Sequence, residues 1–247
     1  NPDSLQVLMI ESAARKRRLP YHPKKLVLLI SSMRHRAKDL REKGITVDYR
    51  QAEDMASALQ AHCERYAPDK LVTMAASSFR GREFQHGLPD QLGIPVKVLA
   101  NTQFLSSQFD PFPDIRPGEK IRQEAFYRAM RGHFGILMAA DGRPEGGQWN
   151  YDKQNRKPLP AEVKPPEPLS FQPDALTREV MDEIKALGPT FGELAGFDLA
   201  VTSAGAQRAA DDFFAHRLVH FGTYEDAMSS EHAVLYHSKL SPYLNLG

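Results

Sequence analysis

The chain has 247 residues, of which 41% are hydrophobic and 26% charged, and a formal net charge of +1. This composition is typical of a globular protein with one large domain or two smaller ones, and the low net charge excludes a nucleic-acid-binding surface over the whole molecule. The single cysteine, Cys63, excludes an internal disulfide and a cysteine-built metal site within these residues. Without a long apolar run or a signal-peptide pattern, we expect a cytoplasmic monomer with no membrane partner.

The first hundred residues alternate short apolar runs with amphipathic helical patterns. Strands are predicted over Leu5–Ile10, Ile45–Tyr49, Lys70–Ala75 and Gly93–Leu99, and helices from Pro23 to Leu40, over Met55–Tyr66 and over Phe79–Leu92. Such alternation with short connections predicts an α/β fold, a parallel sheet with helices on both faces. The four cations Arg15–Arg18 are interpreted as solvated surface.

Ligands of such sheets bind beyond the carboxyl ends of the strands. Glu11, at the end of the first strand, and the turn Ala75–Ser78 are therefore the first candidates for lining a pocket. No glycine fingerprint of a dinucleotide site and no Walker loop follows any predicted strand, so neither a standard dinucleotide site nor a P-loop is favoured.

A proline- and aromatic-rich segment, Phe104–Pro117, is predicted to be irregular, and Lys120–Phe134 to form a basic amphipathic helix. Its pattern predicts four inward and three outward side chains, namely Ile121, Phe126, Met130 and Phe134 inward and Arg122, Arg128 and Arg131 outward.

The segment Gly146–Pro160 contains the only tryptophan, Trp149, between flexible glycines and a stiff proline-rich end. Its cations Lys153, Arg156 and Lys157 are opposed only by Asp152. Two interpretations stay open. The segment is a strap between domains, or it is a surface loop that contacts an anionic partner.

Six prolines at positions 158, 160, 165, 166, 168 and 173 predict an extended linker rather than a packed element. Two helical patterns follow, at Asp174–Leu187 and Ala204–Leu218. His216 and His220 could ligate a metal at their i, i+4 spacing. No nearby carboxylate or cysteine completes such a site, so we expect packing or hydrogen bonding instead.

Several long stretches carry a family resemblance, namely Gly146–Asp152, Asn155–Pro160, Ser31–His35, Glu124–Arg128, Ala215–Met228 and Tyr236–Leu244. In these stretches the chain resembles the bacterial photolyase-related proteins, the iron–sulfur branch of the photolyase/cryptochrome superfamily. The last stretch is similar to the flavin-phosphate segment found across photolyases. The resemblance covers essentially the whole chain.

The resemblance implies a Rossmann-like α/β antenna domain, a proline-rich connector and the first helices of an all-α FAD-binding domain. Here these would be residues 1–140, 141–173 and 174–247. It also implies the cofactors FAD, 6,7-dimethyl-8-ribityllumazine and a 4Fe–4S cluster, with damaged DNA as partner. We expect an N-terminal portion whose first antenna strand precedes Asn1 and whose cluster cysteines follow Gly247.

The resemblance is carried over to individual positions. For the lumazine antenna they are Glu11, Tyr21, Lys24 and Lys25, and for FAD they are Tyr224, His237, Ser238, Lys239, Leu240 and Ser241. Repair enzymes that extrude a lesion must hold the flanking backbone. This makes the loop a candidate for DNA contact through Asn150, Lys153, Gln154, Asn155, Arg156 and Lys157. No catalytic residue and no metal ligand is assigned.

Three functions remain open at this level. The first is a light-driven photolyase for (6-4) photoproducts, the second a blue-light photoreceptor without repair, and the third a stand-alone nucleotide-binding α/β module. We expect the 247 residues by themselves to be inactive and not to hold FAD, because the helical domain that would enclose the flavin is only begun here.

Overall fold

The computed structural model describes residues 5–188 and 191–246, and the chain divides into two units. Unit 1 comprises Asn1–Ala67 and Arg156–Gly247, and unit 2 comprises Pro68–Asn155. Both units contain a parallel strand pair with helices, so the mixed α/β class is confirmed.

In unit 1, strand β1 (Gln6–Ser12) pairs in parallel with β2 (Thr46–Ala52). Between them run a short helix α1 (Ala13–Arg17) and the 20-residue helix α2 (Pro23–Glu42). Proline suits the first position of α2 because that position needs no amide hydrogen, and the preceding His22 Nδ1 accepts from Lys24 N at 3.2 Å. Helix α3 (Met55–Tyr66) follows β2 and has the predicted bounds.

The core of unit 1 lies where α2 packs against α6 (Ala175–Ala186), a helix from the second half of the chain. Its buried members are Leu26, Val27, Leu28, Ile30, Val180, Ile184, Leu194 and Phe197. Val27 and Val180 are 0% exposed, so the two helices share one close-packed interior.

In unit 2, β3 (Leu71–Met74) pairs in parallel with β4 (Val96–Leu99), and α4 (Phe79–Leu92) connects them. Gln85 of α4 donates to Thr73 Oγ1 at 3.2 Å, which places α4 over the face that carries Thr73. The opposite face is open, with Val72, Met74 and Leu99 between 44% and 53% exposed. The described strands thus form two separate two-stranded sheets.

Helix α5 (Gln123–Phe134) begins at Gln123 rather than at the predicted Lys120, so Ile121 lies before it. Arg131 was predicted to face outward but is only 6% exposed, and Ile121 was predicted to face inward but is 45% exposed. Periodicity places charges outside by default. The Arg131 guanidinium is buried because backbone carbonyls satisfy its hydrogens.

Residues 158–173 contain no helix or strand, as predicted. The expectation that they are unpacked was wrong, since Pro165 is buried and Phe171 N donates to Asp198 O at 3.0 Å. The two predicted helices are α6 and α7 (Ser203–His216), and two further helices follow, α8 (Leu218–Tyr224) and α9 (Ser241–Leu246). Within the described ranges no helix has the length and apolar character to cross a bilayer.

Candidate functional site

Glu11 stands at the carboxyl end of β1, and its side chain is fully buried. Oε1 accepts hydrogen bonds from Arg34 Nε (2.8 Å) and the Tyr49 hydroxyl, and Oε2 accepts from Arg34 Nη2 and Lys16 Nζ, both at 3.3 Å. Burial alone would raise the pKa of Glu11. The hydrogen bonds from Arg34 and Tyr49 and the two positive charges outweigh that effect, so its pKa is lowered. Glu11 is therefore a buried carboxylate anion at neutral pH.

Arg34 joins this carboxylate to the core helix α6. Its Nη1 and Nη2 donate to Glu183 at 2.8 and 2.6 Å. Hydrogen bonds to Glu183 and to Glu11 raise the pKa of Arg34. Burial and the Glu11 carboxylate raise the pKa of Tyr49, which therefore remains a phenol that donates its proton. The network is a set of fixed donors around one anion.

Lys16, Arg34 and Tyr49 were not among the predicted site residues. For Tyr49, the alternation of side chains along the strands could have indicated a position near Glu11. Tyr49 pairs with Met9 in the parallel register, and Met9 and Glu11 share a face because side chains alternate along a strand. Lys16 departs from the prediction for Arg15–Arg18, because it is half-buried against Glu11 while the other three cations are exposed.

The other predicted antenna residues cluster at the start of α2. Lys25 Nζ lies 5.3 Å from the centre of the Tyr21 ring, and Lys24 Nζ donates to Gly196 O at 2.9 Å. None of the three is among the hydrogen-bond partners of Glu11 that the described residues supply. The structure brings Tyr21 and Lys25 into contact but does not join them to the Glu11 network.

The predicted pocket turn, Ala75–Ser78, is tied to its own neighbours. Asn101 donates to Ala75 O and Gln85 accepts from Ala76 N, both at 2.9 Å. The Ser78 hydroxyl caps α4 by accepting from Gly81 N at 3.2 Å. Because its polar groups bond to neighbouring residues, we interpret this turn as structural: it begins helix α4.

A second buried polar cluster holds α3 against β2. Asp48 Oδ2 lies 2.7 Å from His62 Nδ1 and accepts from Arg50 Nε at 2.6 Å. Burial would raise the pKa of Asp48, but the hydrogen bonds from His62 and Arg50 lower it. Since its partners are all within the cluster, we interpret this group as structural.

The predicted FAD positions lie in unit 1. Tyr224 ends α8, Ser241 is the first residue of α9, and the other four lie on the irregular segment 237–240. Lys239 Nζ is 3.6 Å from Asp198 Oδ2, Ser238 Oγ accepts from Leu240 N at 3.3 Å, and His237 Nε2 is 3.1 Å from Glu225 O. Tyr224 stacks on Tyr236 at 5.4 Å between ring centres, and Ser241 begins α9.

Ser238 and Lys239 line a cavity of about 10 Å³. That volume holds at most a single water molecule. The described residues therefore place hydroxyl, imidazole and ammonium groups on one segment, without enclosing a space the size of a flavin.

A wider cleft of about 870 Å³ lies in unit 1 between α2, the start of α7 and α9. Its apolar lining includes Met9, Leu29 and Met33, and its rim charges pair with one another, as Arg36 does with Asp39 at 2.7 Å. No predicted antenna, FAD or DNA position is among its described lining residues.

The predicted DNA loop is anchored at its start in unit 2. The Trp149 ring lies 5.3 Å from the Arg128 guanidinium and 5.5 Å from that of Arg131, and Asn150 Nδ2 donates to Glu124 at 3.0 Å. Lys153, Gln154 and Asn155 follow in the same unit, and Lys153 has no ion pair among the described residues.

The two remaining loop cations belong to unit 1. Arg156 Nε lies 3.2 Å from Asp226 Oδ2, and Lys157 N donates weakly to Thr223 O at 3.4 Å. Both members of the Arg156 pair are well exposed, so the pair contributes little to stability.

The sequence places the chain in a family. Residues 1–199 match the deoxyribodipyrimidine photo-lyase-related proteins, and the chain belongs to this family. A (6-4) photolyase of Agrobacterium fabrum (strain C58) is 34% identical to it over 249 residues, which is 98% of this chain and 49% of that protein. The chain thus spans about half the length of this curated relative.

No group of three or more histidine, cysteine or acidic side chains is arranged for a metal within the described ranges. His220 instead packs on Tyr236, with ring centres 4.9 Å apart.

Proposed function

We propose that this chain is the antenna-bearing half of a light-driven DNA repair flavoprotein that acts on (6-4) photoproducts. The observation that carries the proposal is 34% identity to a (6-4) photolyase across 98% of the chain. In this proposal residues 1–140 form a Rossmann-like antenna domain, 141–173 the connector and 174–247 the first helices of the FAD domain. The parallel strand pairs and the helices α6–α9 are compatible with that order.

The residues present fit the proposed groups unequally. Glu11, a buried carboxylate at a strand end, has the acceptor oxygens that the hydroxyl and ring N–H donors of a ribityllumazine need, but Arg34, Tyr49 and Lys16 occupy them. His237, Ser238 and Lys239 offer the donors that two bridging phosphates need, and bound FAD would supply the light-driven electron transfer. A 4Fe–4S cluster needs four thiolates, and with Cys63 alone these residues cannot bind it.

The repair assay tests the central proposal. The intact gene product is illuminated with blue light in the presence of two oligonucleotides, one carrying a (6-4) photoproduct and one a cyclobutane dimer. We expect light-dependent restoration of the (6-4) lesion, measured by chromatography, and none in the dark. A protein that holds FAD but restores neither lesion would be a photoreceptor, and the repair proposal would fail.

The antenna proposal is tested at Glu11. Glu11→Ala in the intact gene product should lower lumazine occupancy while FAD stays bound, because the acceptor of the pigment's hydrogen bonds is lost. The visible absorption spectrum measures both groups. Glu53→Ala is the matched control, since Glu53 is 63% exposed and pairs with Arg17 at the surface. Equal pigment absorbance in both variants would remove Glu11 from the antenna site.

The DNA proposal is tested through the salt dependence of binding. Each phosphate that a lysine or arginine neutralises releases counterions, so binding weakens as salt rises. Replacing Lys153, Arg156 and Lys157 with alanine should lower the magnitude of the log–log slope by up to about 2–3. Lys153, which has no ion pair among the described residues, should account for a full contact, whereas Arg156 must first leave Asp226. An unchanged slope would assign the loop to a structural strap.

A further inference from the structure

The first half of the loop that is predicted to contact DNA is fixed to helix α5, within unit 2. Two guanidiniums of α5 lie over the Trp149 ring, that of Arg128 at 5.3 Å and that of Arg131 at 5.5 Å from its centre. Arg131 Nη1 also donates to the Trp149 carbonyl at 3.4 Å. Both the ring and the backbone of Trp149 are therefore held by the helix.

A second contact to α5 follows at the next residue. Asn150 Nδ2 donates to Glu124 Oε1 at 3.0 Å, and the same oxygen accepts from Arg128 Nε at 2.8 Å. Asn150 is one of the predicted DNA contacts, but in the structure its amide bonds to the helix. The bond to Glu124 suggests that Asn150 holds the loop rather than the DNA.

The backbone between Gly146 and Tyr151 closes on itself. Tyr151 Oη donates to Gly146 O at 2.9 Å, and a Cβ at position 146 would collide with that hydroxyl. Gly146 also has a φ of +77°, which glycine adopts without strain. The glycine here therefore serves one close-packed conformation rather than free movement of the loop.

Lys153 lies on the turn that begins at Tyr151. Gln154 N donates to Tyr151 O at 2.8 Å, which closes one turn of 3-10 helix over Asp152–Gln154. The Lys153 side chain is exposed and has no ion pair among the described residues. Its backbone is thus tied to the fixed part of the loop, while its ammonium lies in solvent, where a phosphate can reach it.

We propose that α5 is the platform that positions Lys153 for a phosphate contact, and that Arg131 and Asn150 are positioning residues that do not touch DNA. The inference rests on the proposed DNA contact of the loop and adds how the loop is held. A lysine on a mobile loop must be ordered when it binds, and this ordering weakens its contact. Arg131 and Asn150 fix the loop before DNA arrives, so Lys153 binds with a smaller loss of conformational entropy.

A double-mutant cycle on the intact gene product tests the platform. The probe is a fluorescently labelled DNA duplex with one (6-4) photoproduct, and anisotropy measures its affinity over a salt series. Lys153→Ala should weaken binding about five- to tenfold at about 0.1 M salt and lower the magnitude of the log–log slope by about 0.9. Asn150→Ala and Arg131→Met should each weaken binding by up to the same factor and lower the slope in the same direction.

The decisive measurement is made in the Lys153→Ala background. There, neither Asn150→Ala nor Arg131→Met should have a further effect, because residues that act through one contact are coupled, whereas independent contacts are additive. A purely structural role would change the urea midpoint but neither the salt slope nor this coupling. Asn150→Ala changes an exposed side chain, so it keeps the test decisive if Arg131→Met is too unstable to purify.

Arg143→Met is the matched control for Arg131→Met. Arg143 also lies in unit 2, but its side chain is 80% exposed and pairs with Asp141 rather than with the loop. Any change that Arg143→Met makes in affinity should therefore be the same with and without Lys153→Ala.

Each outcome decides the proposal. If the effect of Asn150→Ala or Arg131→Met adds to that of Lys153→Ala, the residue acts on DNA independently of Lys153. If neither variant changes the affinity, the loop needs no platform. Both results overturn the platform and leave the DNA contact of Lys153 intact. An unchanged affinity and slope for Lys153→Ala would refute the DNA contact itself, and the platform with it.

Discussion

Glu11 in unit 1 and Arg131 in unit 2 are both buried charges, but they are stabilised in different ways. Glu11 is surrounded by two cations and a phenol. Arg131 has no carboxylate among its described partners. It donates to the carbonyls of Ile136 and Leu137, to Tyr127 Oη at 3.0 Å and to Trp149 O at 3.4 Å.

The difference shows what each charge does for the fold. Glu11 joins β1, β2, α1 and α2 through opposite charges, so its contribution depends on ionisation. Arg131 closes the turn after α5 by donating to the carbonyls of Ile136 and Leu137, the second of which also accepts from Glu145 N at 2.9 Å. The first is an electrostatic junction, and the second replaces backbone hydrogen bonding.

The largest effect should come from breaking the Glu11 junction. Arg34→Met leaves a buried carboxylate with only Lys16 and Tyr49, and removing one partner of a buried pair costs about 3–5 kcal/mol. Because two donors remain, we expect a loss near the lower limit, measured by urea unfolding followed with far-UV circular dichroism. Arg143→Met is the matched control. That side chain is 80% exposed and pairs with Asp141 at the surface, so the same change there should have almost no effect.

A smaller effect is expected at Arg131. Arg131→Met removes the described donor of the Ile136 carbonyl, whereas the Leu137 carbonyl keeps its bond from Glu145 N. A buried group left without a partner costs about 1–3 kcal/mol, and solvent can reach part of the turn, so we expect a total of about 1–2 kcal/mol. Trp149 is the only tryptophan and contacts Arg131, so its emission measures unit 2 during unfolding. If Arg131→Met unfolds at the same urea midpoint as the wild type, water replaces the guanidinium with little loss of stability, and the prediction is wrong.

The smallest expected effect is that of pH on the free energy of unfolding, and it best distinguishes the two buried charges. The pKa of Glu11 is lower in the folded protein than in the unfolded chain, where it is about 4.3. Its stabilising contribution is thus complete above that value and is lost as pH falls through the folded pKa. The free energy of unfolding should be higher for the wild type than for Glu11→Gln at neutral pH, and this difference should become smaller below about pH 4.

The difference in unfolding free energy between wild type and Arg131→Met should stay constant over the same range, because Arg131 has no carboxylate among its described partners and its strongest bonds go to backbone carbonyls, which do not ionise. Both differences are measured from urea midpoints between pH 3 and 7. A Glu11→Gln difference that does not change with pH would mean that the carboxylate is not ionised in the folded protein.

Local signals determined much of the secondary structure. The bounds of α3 and α4 agree with the prediction because polar caps start them, Asp54 for one and Ser78 for the other, and residues in left-handed conformation end them. The burial of Arg131 was beyond such signals. Periodicity assigns a face to each residue, but it does not show which carbonyls lie nearby.

The site residues, too, divide into those that local sequence signals predict and those that only the tertiary structure identifies. The strand-end position of Glu11 is a property of one short segment, and the sequence alone identified it. Lys16, Arg34 and Tyr49 come from three further elements, so only the tertiary structure could bring them to one carboxylate. Likewise, sequence alternation determined that the strands are parallel, whereas their division into two described pairs was decided by backbone hydrogen bonding. Local conformation depends on neighbours along the chain, but the burial of a charge depends on partners that only folding assembles.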